Sequence, residues 1–162
     1  GAEGGERESS MAVVHELLST ATDETVDFAE AARTVVDMVR QSLAGRGSEV
    51  TVRVEGSTGE VSASVATSLA LVTAELVHNA IEHGLAERET GTVDVSMRRL
   101  PGELFLQVRD DGVGLPEDFD IDASAHLGLA IVRTVVEDDL RGNLSFGGAR
   151  GTPVTIRVPI EE

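Results

Sequence analysis

Apolar residues recur at helical and strand intervals along most of the chain, and the two periods divide it into an ordered set of elements. From about Glu6 to Thr20, Met11, Val14, Leu17 and Leu18 fall three or four apart, which predicts a short helix that the polar run "TATDET" ends. Asp27 with Glu30 three residues later forms a capping-box pattern. Phe28, Ala32, Val35, Val39 and Leu43 then make one stripe and Gly45 supplies a stop, so a second helix is predicted. "EVTVRVE" alternates as a half-buried strand does, and "GSTGEV" turns the chain into a long helix from about Val65 to Leu85. "TVDVSMRRL" and "ELFLQVRD" are alternating runs joined by "PG", the pattern of a hairpin. After a glycine-rich loop, "LGLAIVRTVVEDDL" places Leu129, Val132 and Val136 on one helical side, and "NLSFGG" and "TPVTIRVPI" close the chain as two strands.

The order is therefore helix, strand, helix, hairpin, helix, hairpin, after a short leading helix. Strands that mostly pair with sequence neighbours, interleaved with helices, predict an α/β two-layer sandwich: a mixed β-sheet with helices on one face. A chain of 162 residues fits one such domain plus an appendage. Its most apolar stretch, about Ser62 to Val72, is interrupted by Ser and Thr and falls short of the roughly 20 residues a membrane span needs, so no bilayer contact is predicted. "GAEGGERESS" has neither an initiator Met nor a leader pattern, which predicts a segment cut from a longer protein.

Charge and composition narrow the chemistry. A formal charge of −16 should repel phosphate backbones, which argues against nucleic acid as a partner. The absence of cysteine leaves no disulfides and no thiolate metal sites, and suits a cytoplasmic protein. All thirteen basic residues are Arg. Without Lys, neither a Walker A loop nor a protein-kinase strand lysine is available, so a nucleotide would be held by backbone amides, a metal and Arg.

Within the long helix, "ELVHNAIEHG" sets Glu75, Asn79 and His83 at successive intervals of four beside the apolar positions Leu69, Val72, Leu76 and Ala80. On an α-helix that aligns three polar groups along one line at the edge of a buried face. Three further stretches, "DDGVG" at 110–114, "HLGLAIV" at 126–132 and "GGARGT" at 147–152, place glycine at element junctions where a ligand can approach the backbone. Gly128 sits at a helix start, where free N–H groups of Gly128, Leu129 and Ala130 favour an anion. Asp110 ends a strand and offers a carboxylate acceptor suited to an exocyclic amine, and Asn79 offers the amide oxygen that Mg²⁺ accepts beside waters and phosphate.

In this order the residues resemble the GHKL ATPase superfamily and, within it, the catalytic and ATP-binding domain of sensor histidine kinases. "ELVHNAIEHG" is similar to its N box, "DDGVG" to its first glycine box, "HLGLAIV" to its second, and "RGT" to its closing glycine-Thr element, over roughly residues 50 to 160. The resemblance implies ATP and Mg²⁺ as ligands, with Asn79 on the metal and Asp110 receiving the adenine amino group. It implies that Gly112 and Gly114 shape the base pocket, that Gly128 and Leu129 open the helix that meets the phosphates, and that Thr152 contributes a hydroxyl near adenine. Glu75 is then a general base or polarising carboxylate. His83 either packs beside the nucleotide or balances the helix dipole.

Departures from the family pattern accompany the match. Glu82 stands where many histidine kinases have a basic residue on the phosphates; Arg133 or Arg141 would replace it, or both are ordinary surface arginines. His126 and Leu127 precede Gly128 in place of a first glycine. The segment between Pro116 and His126 leaves a short lid and no separate phenylalanine box, which with "HELL" resembles the HisKA-2 and HWE-like group. His126 either touches phosphate or is a solvated loop residue.

The division implied is residues 1–22 as the remnant of a dimerisation and phosphotransfer hairpin with its linker, and 23–162 as the ATP-binding catalytic domain. The activity implied is transfer of the γ-phosphate to a His on upstream phosphoacceptor helices of the same protein, and thence to the receiver domain of a response regulator. An anti-sigma-factor serine kinase acting on a protein partner is the competing reading. His15, followed by Glu16, superficially resembles a phosphoacceptor, but "TATDET" follows too closely for a hairpin to fit, so the phosphoacceptor His is expected to lie upstream.

Overall fold

The structure, a computed structural model, describes residues 25–43, 49–84, 90–112, 127–147 and 153–160. The leading helix, Gly45, the lid and His15 lie outside the described residues. Three strands and two helices come first: β1 (Thr25–Asp27) runs into α1 (Phe28–Ser42), and after β2 (Glu49–Gly56), β3 (Glu60–Ser62) runs into α2 (Ala63–Asn79). Asp27 caps α1 by accepting from the Ala29 N–H at 2.9 Å, and Ser62 caps α2 by accepting from the Val65 N–H at 3.2 Å, each meeting a donor that a helix start leaves unsatisfied. β1 and β3 pair antiparallel, Val26 opposite Val61, as a separate two-stranded sheet.

β4 (Thr90–Leu100) and β5 (Glu103–Asp110) form the expected hairpin. Pro101 fixes one central φ and Gly102 supplies φ of +74°, the combination of a type II turn. α3 (Leu127–Thr134), β6 (Asn143–Phe146) and β7 (Val154–Pro159) complete the described elements. The main sheet has the order β2-β4-β5-β7-β6, with β2 parallel to β4 and the other pairs antiparallel. It is the mixed sheet of an α/β two-layer sandwich.

Alternation decides which face is covered. Val93, Val95 and Met97 on β4, Leu104, Leu106 and Val108 on β5, and Val154, Ile156 and Val158 on β7 are all buried, while Arg98, Arg109 and Arg157 on the opposite face are exposed. The helices supply the other half of the core: Phe28, Ala32 and Val35 from α1, Leu69, Val72 and Leu76 from α2, and Leu129 and Val132 from α3. α2 is the central rod, packed on α1, α3 and β5.

Two expectations need correction. "GSTGEV" is not only a turn, since Glu60–Ser62 is a strand and the long helix begins at Ala63. The apolar helical stretch is also longer than the sequence suggested: Ala63–Glu82, 20 residues of mean hydropathy 1.2, would suffice by length and composition to cross a membrane. Half of its most apolar window is buried inside this fold, where those side chains serve the core.

Candidate functional site

The inward positions of β5 are Leu104, Leu106, Val108 and then Asp110, so a carboxylate occupies the place where the pattern calls for a fourth apolar residue. Asp110 is 8% exposed. A carboxylate so placed requires donors, and one comes from its own turn: Asp110 Oδ1 accepts from the Gly112 N–H at 2.8 Å. The adjacent Asp111 reaches the neighbouring strand, its N–H donating to the Thr92 carbonyl at 3.1 Å and its Oδ1 accepting from the Thr92 N–H at 3.0 Å. The end of β5 is thus held by its own turn and by β4.

α2 brings the polar stripe. Glu75 is 6% exposed, and Asn79 is half-buried with its Nδ2 enclosed and without a hydrogen-bond partner among the described residues. Asn79 is also the last α-helical residue, because Ala80–Gly84 is a π turn with a wider hydrogen-bonding step. The expected single line through Glu75, Asn79 and His83 therefore breaks after Asn79. His83 lies in the π turn, and its side chain falls outside the description. That turn packs against β5, setting the end of α2 beside the strand that ends in Asp110.

α3 begins at Leu127, so Gly128 and Leu129 occupy its first turn, both buried, and the helix packs on α2. The long helix α2 is the element these positions share: it touches β5, which ends in Asp110, and α3, whose first turn holds Gly128 and Leu129. Gly114, His126 and Thr152 lie outside the described residues.

Of the two arginines weighed as a replacement for the basic contact, Arg133 is engaged elsewhere. Arg133 pairs through Nε with Glu137 Oε2 at 3.1 Å, one helical turn on, with both side chains well exposed. Arg141 has φ of +58° just past the turn that ends α3. Glu82 faces His78, with Oε1 3.8 Å from Nε2. His78, unassigned by the sequence reading, is buried, and its only sequence signal is the four-residue spacing to Glu82. Among the described residues no three His, Asp or Glu side chains converge as a metal cluster, so a cation here would draw on Asn79 and on ligand oxygens.

Comparison with known proteins bears on this arrangement. The family model described as "Histidine kinase-, DNA gyrase B-, and HSP90-like ATPase" matches residues 64–162. The sensor histidine kinase PdtaS of Mycobacterium tuberculosis is 38% identical over 157 residues, 95% of this chain and 31% of that protein. Blue-light-activated histidine kinase 2 of Erythrobacter litoralis is 35% identical over 120 residues, 73% of this chain and 34% of that protein. The chain thus spans about a third of the length of these curated relatives. The solved histidine kinase domain of the Erythrobacter litoralis EL346 blue-light activated histidine kinase superposes with a TM-score of 0.78 at 25% identity, covering 96% of this chain and 73% of that one. These relatives are histidine kinases, which does not favour the anti-sigma-factor alternative. With its mixed sheet, its Asp110 turn and its Asn79 helix end, the chain belongs to the histidine kinase-, DNA gyrase B- and HSP90-like ATPases, as an ATPase domain of the kind found in sensor histidine kinases.

Proposed function

We propose that this domain binds Mg-ATP and passes its γ-phosphate to a histidine on helices upstream of it in the same protein, from which a response-regulator receiver domain takes it, in the cytoplasm. The observation that carries the reading is the buried Asp110 at the end of β5, held by the Gly112 N–H beside the end of α2. A carboxylate sunk in line with Leu106 and Val108 costs free energy unless donors meet it, and the exocyclic amine of adenine is such a donor. In this reading Gly112 and Gly114, which carry no Cβ, would let a flat base approach the backbone.

Asn79 supports the metal half. Its enclosed amide end has no partner among the described residues, and a half turn of the amide exchanges nitrogen for oxygen. The same position can therefore present an oxygen to Mg²⁺ or a donor to a phosphate oxygen. Mg²⁺, when bound, neutralises charge on the β- and γ-phosphates. In this reading Glu75 polarises the attacking group, the N–H groups of Gly128 and Leu129 face the phosphates, and Thr152 and His83 flank the base.

Titration with ATP and GTP tests the base assignment. Asp110→Asn should erase the preference for ATP, because the amide can present a donor to the adenine amine; equal loss of both nucleotides would remove Asp110 from that role. Incubation with γ-labelled ATP and Mg²⁺ tests the transfer. Acid-labile label should appear on a longer form carrying the upstream helices and not on this chain, and label here that His15→Gln abolishes would overturn the reading.

A further inference from the structure

β5 leaves the sheet one residue after Asp110, and Asp111 sets how it leaves. In the ladder Val93 is opposite Asp110, so Thr92 and Asp111 form the next pair. In a continuing ladder each would give its N–H to the other's carbonyl. Half of that exchange is made, the Asp111 N–H donating to the Thr92 carbonyl at 3.1 Å. The other half is made by a side chain: the Thr92 N–H donates to Asp111 Oδ1 at 3.0 Å. The carboxylate stands where the main-chain carbonyl would stand, so the last rung stays closed while the backbone turns away. That turn is the one that brings the Gly112 N–H to Asp110 Oδ1 at 2.8 Å. Asp111 is itself exposed, so its carboxylate has water available and is nevertheless committed to the amide of a residue 19 positions away.

Resting on the reading of Asp110 as the adenine acceptor, we propose that Asp111 is the positioning residue of that site. Asp111 need not touch nucleotide. Its bond to Thr92 fixes the turn at residues 110–112 against β4, and through the turn it fixes the Asp110 carboxylate. Without the acceptor the turn detaches from β4 and the carboxylate shifts; one hydrogen bond to the adenine amine weakened in this way makes a roughly tenfold loss of adenine affinity the expected scale.

Calorimetric titration of the chain with ADP and with GDP at fixed Mg²⁺, alongside amide hydrogen exchange at Thr92, provides the test. Asp111→Ala should weaken ADP about tenfold, leave GDP within about twofold and speed exchange at Thr92. Asp111→Asn keeps an acceptor oxygen at the same reach and should restore both affinity and protection. Should Asp111→Ala fail to fold, Asp111→Ser, whose hydroxyl is too short to span to Thr92, carries the same expectation. Wild-type ADP affinity in the Ala or Ser variant, or failure of Asp111→Asn to restore it, overturns the proposal while Asp110→Asn still abolishes the ADP preference. If Asp110→Asn leaves the ADP to GDP ratio unchanged, the adenine reading itself has failed, and this proposal with it.

Discussion

Arg99 Nη1 donates to the carbonyl oxygen of Thr58 at 2.9 Å, joining β4 to a turn 41 residues earlier in the chain. The same nitrogen donates to the Glu60 carbonyl, also at 2.9 Å. Thr58 in turn accepts from the Phe28 N–H through Oγ1 at 3.2 Å, so the guanidinium steadies the turn against which α1 starts. Arg99→Met keeps most of the stem and removes both bonds. It should cost about 1–2 kcal/mol, read as a lower urea midpoint at unchanged slope. An unmoved midpoint would mean that water satisfies both carbonyls equally well.

Asp27 makes stability depend on acidity. Burial pushes its carboxyl up, but the Ser57 hydroxyl at 2.5 Å, the Ala29 and Thr58 amides and the Arg33 charge together hold it below the ordinary carboxylate value. A depressed folded value stabilises the fold above the unfolded pKa of about 4, and that contribution disappears as pH falls through the folded value. Asp27→Asn should therefore be less stable than the wild type at pH 7, and the gap should close below about pH 4. Thermal midpoints measured across that range decide it; a gap constant with pH would show that the carboxyl titrates alike in both states.

Asn79→Ala should separate binding from stability. The amide nitrogen it removes is enclosed and makes no hydrogen bond among the described residues, so little folding energy leaves with it, and Ala is the better helix former. The thermal midpoint should stay the same or rise while Mg²⁺-dependent ATP affinity falls at least tenfold, the pattern of a group kept for its ligand. A variant that unfolds more easily and still binds would place Asn79 among the structural residues.

Arg141 and Gly142 invite opposite substitutions. With φ of +58°, Arg141 holds a conformation that costs a side-chain-bearing residue free energy, so Arg141→Gly should be neutral or stabilise by up to about 1 kcal/mol. A Cβ on Gly142 would lie 2.2 Å from the Arg157 carbonyl oxygen, so Gly142→Ala must displace β7 and should cost several times as much. Denaturant midpoints of the two variants should move apart. Equal shifts would show that the backbone here adapts freely.

The elements legible in the sequence are those that repeat a period several times. Phe28, Ala32, Val35 and Val39 announce α1, and the alternation on β4 and β5 announces the hairpin and its covered face. β1 and β3 escaped because three residues cannot establish a period of two, and because each merges into the cap of the following helix. The π turn at Ala80–Gly84 escaped because nothing in "AIEHG" distinguishes it from another α turn. The place of Asp110 at a strand end was legible from the glycines after it. The part Asp111 plays was not, since it depends on the amide of a residue brought alongside only by strand register.

The short pairing of β1 with β3 constrains how the chain can enter this domain. Slipping β1 by one residue in either direction would bring Val26 or Phe28 to the cap now formed by Asp27, and would lift the fully buried Phe28 out of the core. The β1–β3 pairing therefore holds a single register. β1 and β3 end in the caps of α1 and α2, Asp27 and Ser62, so that one register sets both helix starts together. α2, 17 residues and so about 25 Å long, then sets the distance from that small sheet, at Ser62, to Asn79 at its far end.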